Sequence, residues 1–270
     1  MTMPRSFRKI HGAGNDFILL TGTEQARVRA LPATAQRLCA RRTGIGADGL
    51  VVSTLISTDP AVLEVTCLNA DGSTATMCGN ALRCAARCAS DDYALQEMTL
   101  IMAGVNHQAR VSDGAVWVTA EVGAVDMRRV EAIWNGRPFW FDSAHTGTEH
   151  VVAIVENVDA IDAEACGRLI RHHPQLAPLG TNVNFIQPVA KQELKIRTYE
   201  RGVEAETLSC GSGAVAAVVI AVQRGLVSHR QVIVHNRAGT PLTVSPVAER
   251  PGRAFWLGGP VTQTYEGVLT

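Results

Sequence analysis

Two short stretches of this 270-residue chain are alike, although 132 positions separate them. Thr76-Met77-Cys78-Gly79-Asn80 leads into the alanine-rich run Ala81 to Ala89. Thr207-Leu208-Ser209-Cys210-Gly211-Ser212-Gly213 leads into a second such run from Ala214. Each is a cysteine, a glycine and a polar residue opening a helix-prone segment. A repeat at nearly half the chain length predicts two similar lobes, each presenting a cysteine at a helix N-terminus. The remaining pattern agrees with a mixed α/β chain. Phe17–Leu20, Leu63–Cys67, Met98–Met102, Val116–Val122 and Val151–Val155 read as strands. Glu193–Tyr199 alternates, with Leu194, Ile196 and Thr198 on one face, and reads as a half-exposed strand. Ala33–Arg42, Ala160–His172 and Ala214–Arg224 read as helices, the last stopped by Gly225. On the second of these, Ile161, Ala165, Leu169 and Ile170 are expected to form the apolar face.

The position of the two cysteines has a chemical consequence. The first turn of a helix has unpaired N–H groups and a partial positive charge. A thiolate is stabilised there. Lowering a thiol pKa from ~8.5 to ~7.5 raises the thiolate fraction at neutral pH from roughly 3% to roughly 24%. The same N–H groups bind a carboxylate, and a glycine after the cysteine lets the ligand come close. Two such helix starts around one amino-acid carboxylate would set a sulfur on each face of the α-carbon. One thiolate removes the α-proton and the opposite thiol supplies another. Preorganised dipoles in a site closed to water are then the stabilisation available to the carbanion.

Other chemistries are less well served. Lys+Arg and Asp+Glu are 25 each, so no net charge favours nucleic acid. No apolar run reaches the ~20 residues of a membrane helix, and Met1–Asp16 has no signal-peptide core. The chain is expected to be cytoplasmic, with no membrane or nucleic-acid partner. Its seven cysteines are odd in number and read as free thiols. Cys39, Cys67, Cys84, Cys88 and Cys166 look like packing residues. Cys78, Cys84 and Cys88 lack a well-spaced fourth ligand, so no metal is expected. Lys9, Lys191 and Lys195 are the only lysines, and none lies in a phosphate-cradling context. A pyridoxal-phosphate Schiff base is therefore not expected, nor is any other cofactor. A cysteine hydrolase using Cys78 with His150 would need one essential cysteine and a covalent intermediate. A redox or metal-binding module is a third class.

The segments around the cysteines resemble the diaminopimelate epimerase family nearly from end to end. His11-Gly12-Ala13-Gly14-Asn15-Asp16-Phe17 resembles its first signature, and Thr43-Gly44-Ile45-Gly46-Ala47-Asp48-Gly49 its second. Asn69-Ala70-Asp71-Gly72-Ser73, continuing to Cys78-Gly79-Asn80, resembles the first catalytic block. Gly180-Thr181-Asn182-Val183-Asn184-Phe185 is a further match. Tyr199-Glu200-Arg201-Gly202-Val203, followed by Glu206 to Gly213, resembles the second block. The resemblance implies a fold of two similar α/β lobes, each a mostly antiparallel sheet wrapped around a central helix, with the active site between lobes. The lobes would be residues 1–125 and 126–260, with 261–270 returning to the first. It implies PLP-independent epimerisation of LL- to meso-diaminopimelate, for lysine and peptidoglycan precursor synthesis. Cys78 and Cys210 would be the acid–base pair, supported by His150 and Glu200. Substrate would be held by Asn15, Gly49, Asn69, Gly79, Asn80, Thr148, Asn182, Glu200, Arg201, Gly211 and Ser212. Tyr265 would be a contact in a homodimer. The proline racemase group also uses two cysteines, but Cys78-Gly79-Asn80 and Glu200-Arg201 point away from it.

Three positions depart from the family pattern. Gly147-Thr148-Glu149-His150 stands where Gly-Asn-Pro-His or Gly-x-Pro-His is usual. Gly49 stands where some members have glutamine. Ala81-Leu82 replaces a more usual Gly-Ala. The first change alters the recognition edge rather than the reacting groups. It keeps open a related racemase acting on histidine or 2,4-diaminobutyrate. Arg201 has the planar fork that suits a carboxylate. Asn15, Asn69 and Asn182 are, as residue types, equally at home in turns and caps.

Overall fold

The computed structural model describes residues 6–22, 32–112, 114–134 and 136–269. The chain divides into a unit of Met1–Val118 with Gly258–Thr270 and a unit of Thr119–Leu257.

The first unit has strands β1 (Ser6–Gly12) and β2 (Asn15–Thr21), helix α1 (Pro32–Cys39), and strands β3 (Gly49–Thr58) and β4 (Ala61–Asn69). Helix α2 (Gly79–Tyr93) and strands β5 (Glu97–Met102), β6 (Val105–Ser112) and β7 (Ala115–Glu121) follow, β7 continuing past Val118. Most strand pairs are antiparallel; β2–β3 and β4–β5 are parallel. Helix α2 touches β1 to β6 in turn. Ten of its 15 residues are buried, so the sheet wraps it instead of leaving it on a surface. Cys84 and Cys88 are among those ten, as packing residues. A second apolar cluster lies under α1, where Leu38 and Cys39 meet Ile18, Leu50 and Leu68.

The second unit has β8 (Val125–Trp134), β9 (Arg137–His145), β10 (Glu149–Ile154), helix α3 (Ala163–Arg171), β11 (Asn182–Ala190), β12 (Glu193–Glu200) and β13 (Ala205–Thr207). Helix α4 (Gly211–Gln223), then β14 (Val232–His235), β15 (Leu242–Pro246) and β16 (Ala254–Gly259), complete it, β16 running past Leu257. Helix α4 is buried from Gly211 to Ala221 and packs on β9 to β12 and β15. A helix apolar on all sides has to be a core helix. Strand β17 (Val261–Val268) pairs with β1 of the first unit, Lys9 opposite Tyr265.

Each unit is thus a sheet around one central helix, as the resemblance implies, and each cysteine stands immediately before that helix, as the echo predicts. Helix α4 starts at Gly211, three residues before the expected Ala214, and three further elements depart from the sequence reading. Helix α1 stops at Cys39, not Arg42, because the chain turns back: the N–H groups of Ile45 and Gly46 both bond to the Leu38 carbonyl. Helix α3 begins only at Ala163, after Asp162 caps it by accepting from the Ala165 N–H at 3.0 Å. Its buried face is Ala163, Cys166, Gly167 and Ile170. Leu169, expected inside, is 52% exposed, because the i, i+3, i+4, i+7 stripe starts one residue after the cap. On β12, Leu194, Ile196 and Thr198 are buried as expected, and so is Tyr199. Gly167 lies so close to Tyr199 that a Cβ there would come within 2.3 Å of the tyrosine Cβ, which is how α3 covers that face.

Candidate active site

The N-terminal half-site forms where β4 turns into α2. Cys78 is the N-cap residue of α2, extended at φ −143°, and its side chain does not cap the helix. Gly79 and Asn80 form the first turn and are buried. The Asn80 amide is fixed at both ends. Its Nδ2 donates to Asn15 Oδ1 (3.1 Å), and its Oδ1 accepts from Arg83 Nη2 (2.6 Å). Asn15 Nδ2 in turn donates to Asp48 Oδ2 at 2.8 Å. The string therefore runs from a carboxylate through two amides to a guanidinium, so each amide can face only one way.

Arg83 is fully buried, and its partners, Asn80 and the Pro260 carbonyl, are neutral. Burial lowers its pKa to about 10, which leaves it protonated at neutral pH. A buried charge with no charged partner among the described residues is costly, and here the guanidinium is held on Asn80 in the first turn of α2. Cys67 adjoins the Cys78 thiol. Hydrogen bonding to Cys78, with full burial, pushes the Cys67 thiol well above its usual range. Cys67 stays protonated, and its S–H can donate to a Cys78 thiolate.

The remaining N-terminal candidates have structural partners. Asn69 closes the turn after β4, its Nδ2 donating to Ser73 Oγ at 2.9 Å and its N–H to the Ser73 carbonyl at 2.8 Å. Gly49 is a buried β3 residue, and a Cβ there would lie 2.7 Å from the Leu68 carbonyl oxygen. Close packing holds this position to glycine. Tyr265 is 44% exposed on β17, its ring edge-on to Phe7.

The C-terminal half-site is built from the ends of β9 to β12 and the start of α4. Cys210 is the N-cap residue of α4, extended at φ −120°, with Gly211 and Ser212 in the first turn. Ser212 Oγ lies 3.6 Å from Cys210 Sγ and 3.0 Å from His150 Nε2. His150 Nδ1 lies 3.2 Å from Asn184 Nδ2, which also donates to the Val151 carbonyl at 2.9 Å. Thr198 Oγ1 donates to Asn184 Oδ1 at 2.9 Å and fixes that amide. Because Asn184 Nδ2 can only donate, His150 Nδ1 must accept, and the imidazole proton is on Nε2. His150 then donates to Ser212 Oγ, and the Ser212 hydroxyl proton is free to point at the Cys210 sulfur. Every donor in this relay runs toward the thiol.

Burial, followed by the positive charges of Arg201 and His145, lowers the His150 pKa to about 3. The imidazole is neutral at any working pH. In that form its Nε2–H is held on Ser212 Oγ at 3.0 Å. Glu200 accepts from Thr207 Oγ1 at 2.8 Å, three residues before Cys210. Asn182 Oδ1 accepts the Arg201 N–H (2.9 Å), and its Nδ2 donates to the Glu149 carbonyl (2.9 Å). It braces the arginine to the neighbouring strand. The Arg201 guanidinium meets Thr148 Oγ1 at 2.6 Å and the Glu149 carboxylate at 2.9 Å. A cavity of about 310 Å³ is lined by His145, Glu149, His150 and residues 175–181.

The profile of the diaminopimelate epimerase family matches residues 7–127 and 143–258, including both half-sites. The chain belongs to the diaminopimelate epimerase family. Diaminopimelate epimerase of Aquifex aeolicus is 34% identical over 274 residues, covering 98% of this chain and 97% of its own. That of Burkholderia thailandensis is 34% identical over 290 residues, covering 99% of each chain. Solved structures of lower identity share the fold. A phenazine biosynthesis protein of the PhzF family from Enterococcus faecalis aligns with TM-score 0.72 at 11% identity, covering 99% of this chain and 100% of its own. A hydroxyproline epimerase from Agrobacterium vitis aligns with TM-score 0.69 at 14% identity, covering 98% and 90%. The chain is an isomerase of the epimerase type with the two-lobe fold of these proteins.

Sequence reasoning about this family member missed three residues. Asn184 lies inside a matched motif and is the one polar side chain between Val183 and Phe185, which was its signal. Gly213 lies so close to the sulfur that a Cβ there would be 3.2 Å from Cys210 Sγ and 2.5 Å from Asn184 Oδ1. Arg83 stands within the alanine-rich run, and nothing in the sequence shows that its charge is buried.

Proposed function

We propose that this protein interconverts LL- and meso-diaminopimelate, with Cys78 and Cys210 as a thiolate/thiol pair. One thiolate takes the α-proton, the electron pair is held on the carboxylate-conjugated carbanion, and the other thiol delivers its proton to the opposite face. The enzyme ends with the protonation states of the two sulfurs exchanged and no net change in charge. Gly79, Asn80, Gly211 and Ser212 hold the reacting amino-acid end through first-turn N–H groups. Glu200 accepts the ammonium group, and Arg201, with Asn15, Asn69, Asn182 and Thr148, serves the distal end. The reaction feeds lysine and peptidoglycan precursor synthesis in the cytoplasm. Tyr265, exposed on β17, would contact a second copy of the chain.

The observation that carries this reading is the pairing of position with support. Each cysteine is the N-cap of its unit's central helix, and Cys210 receives a directed donor relay from His150 through Ser212. A hydrolase would require His150 to take a proton, and an imidazole with a pKa near 3 is a poor base at neutral pH. The test is proton NMR in D₂O with reduced enzyme, following α-proton exchange and the appearance of the second stereoisomer. Diaminopimelate is compared with histidine, 2,4-diaminobutyrate and lysine. Exchange with inversion, lost in both Cys78→Ser and Cys210→Ser, is the expected result. Loss in only one variant, or a covalent adduct, would overturn the two-thiol mechanism.

A further inference from the structure

The surroundings of Arg201 contain a group that the proposed reaction does not use. Both terminal nitrogens of the guanidinium are occupied by adjacent residues of one short segment, Nη1 by the Glu149 carboxylate at 2.9 Å and Nη2 by Thr148 Oγ1 at 2.6 Å. Both belong to the Gly147-Thr148-Glu149-His150 segment, one of the three places where the sequence departs from the pattern it resembles. The backbone is committed to the same arrangement. Asn182 ties the Glu149 carbonyl to the Arg201 N–H, so the ion pair is held at main chain as well as side chain. Arg201 is about one-quarter exposed and Glu149 about two-fifths, so solvent screens the pair without removing it. A positively charged fork that would meet an incoming carboxylate is here locally neutral. His145 Nε2 lies 4.0 Å from the second Glu149 oxygen.

We propose that Glu149 is a specificity-determining residue, an internal carboxylate that occupies Arg201 and must be displaced by a substrate's second carboxylate. The inference rests on the assignment of Arg201 to the distal end of the substrate. It follows that this chain favours a second carboxylate less than a relative with an uncharged residue at that position. Amino acids whose side chain ends in an ammonium group bind it with a smaller handicap. The substrate class becomes diamino acids as a group, with or without a distal carboxylate.

The test compares wild type with Glu149→Gln, which keeps shape and removes charge, and with Glu149→Pro, which restores the usual family residue. Calorimetric dissociation constants are measured for diaminopimelate and for lysine, which has a distal ammonium and no distal carboxylate. Releasing a partly exposed ion pair is expected to tighten diaminopimelate binding about three- to fivefold in Glu149→Gln. Lysine binding is expected to stay the same or weaken, and the change for diaminopimelate to fall in KM rather than kcat. A residue with only a structural role would weaken both ligands together. An unchanged or reduced preference for diaminopimelate in Glu149→Gln overturns the proposal, as does failure of every protein to bind either amino acid at millimolar concentration. Proton exchange in D₂O is recorded alongside. If no protein exchanges any α-proton, the epimerase assignment fails, while the dissociation constants still decide the role of Glu149.

Discussion

Replacing Ser212 with alanine would cut the relay at the one hydroxyl that joins His150 to Cys210. Ser212 is 6% exposed, so water cannot readily take its place. Two losses follow. A thiolate at Cys210 gives up an O–H donor, and hydrogen bonds to charged groups are worth about 1.5–3 kcal/mol. At about 1.4 kcal/mol per factor of ten, the thiolate population at neutral pH should fall roughly 10- to 150-fold. His150 Nε2–H is also left buried without its acceptor, which should cost about 1–3 kcal/mol of stability. The first effect is read from the rate of Cys210 alkylation by iodoacetamide at pH 7, with Cys78→Ser in every protein so that only one N-cap thiol reacts. The second is read from thermal denaturation. Slower alkylation with a lower Tm is the expected pair of results. An alkylation rate within about twofold of the parent would refute the relay, because the donor would then contribute almost nothing to the thiolate.

His150 should make stability depend on pH. Its folded pKa, about 3, is below the unfolded value near 6.5, so the unfolded state binds the extra proton and stability falls as pH drops through that window. About 2 kcal/mol should be lost between pH 6.5 and pH 5, and His150→Asn should flatten the slope in denaturant melts at the two pH values. Gly213→Ala should press on Asn184 and on the sulfur together, lowering stability by about 1–3 kcal/mol and slowing epimerisation, as measured by Tm and NMR turnover. Arg83→Met should slow alkylation of Cys78 while leaving Cys210 unaffected, as peptide mapping of each thiol would show. Tyr265→Ala should shift the protein toward monomer in sedimentation runs. An unchanged sedimentation coefficient would remove Tyr265 from the proposed dimer contact.

Much of the fold was legible because periodicity reports burial. The alternation at Leu194, Ile196 and Thr198 gave β12, and the apolar run after Ala214 gave a helix with no solvent face. Sequence failed where one contact reset a boundary. Asp162 moved the start of α3 and with it the buried stripe, leaving Leu169 outside. At the site, the two cysteines and their glycines were legible as a repeat, but partners were not. Nothing in the order of residues shows that Asn182 also ties Arg201 to Glu149, or that Asn69 also closes its own turn. An asparagine that binds substrate and one that closes a turn are the same letter, and only the third dimension shows which donors are already committed.

The echo that suggested two alike lobes also conceals a difference between them. Both cysteines occupy the N-cap position of a central helix, and both are followed by glycine and a polar residue. The support behind each is of a different kind. Cys210 is served by neutral groups in series, Asn184, His150 and Ser212, with the imidazole kept uncharged by burial. Cys78 is served by a charge at depth, Arg83 acting beneath Asn80, and by the protonated Cys67 at its side. A dipole relay falls off steeply with distance and depends on every link. A buried charge acts over a longer range and tolerates small displacements. Single substitutions should therefore weaken the Cys210 side sharply at any of three residues, whereas the Cys78 side should depend mainly on Arg83. In a two-thiol reaction run in both directions, such unequal supports would make the two stereoisomers exchange their α-protons at different rates, even though the overall equilibrium is set by the substrate alone.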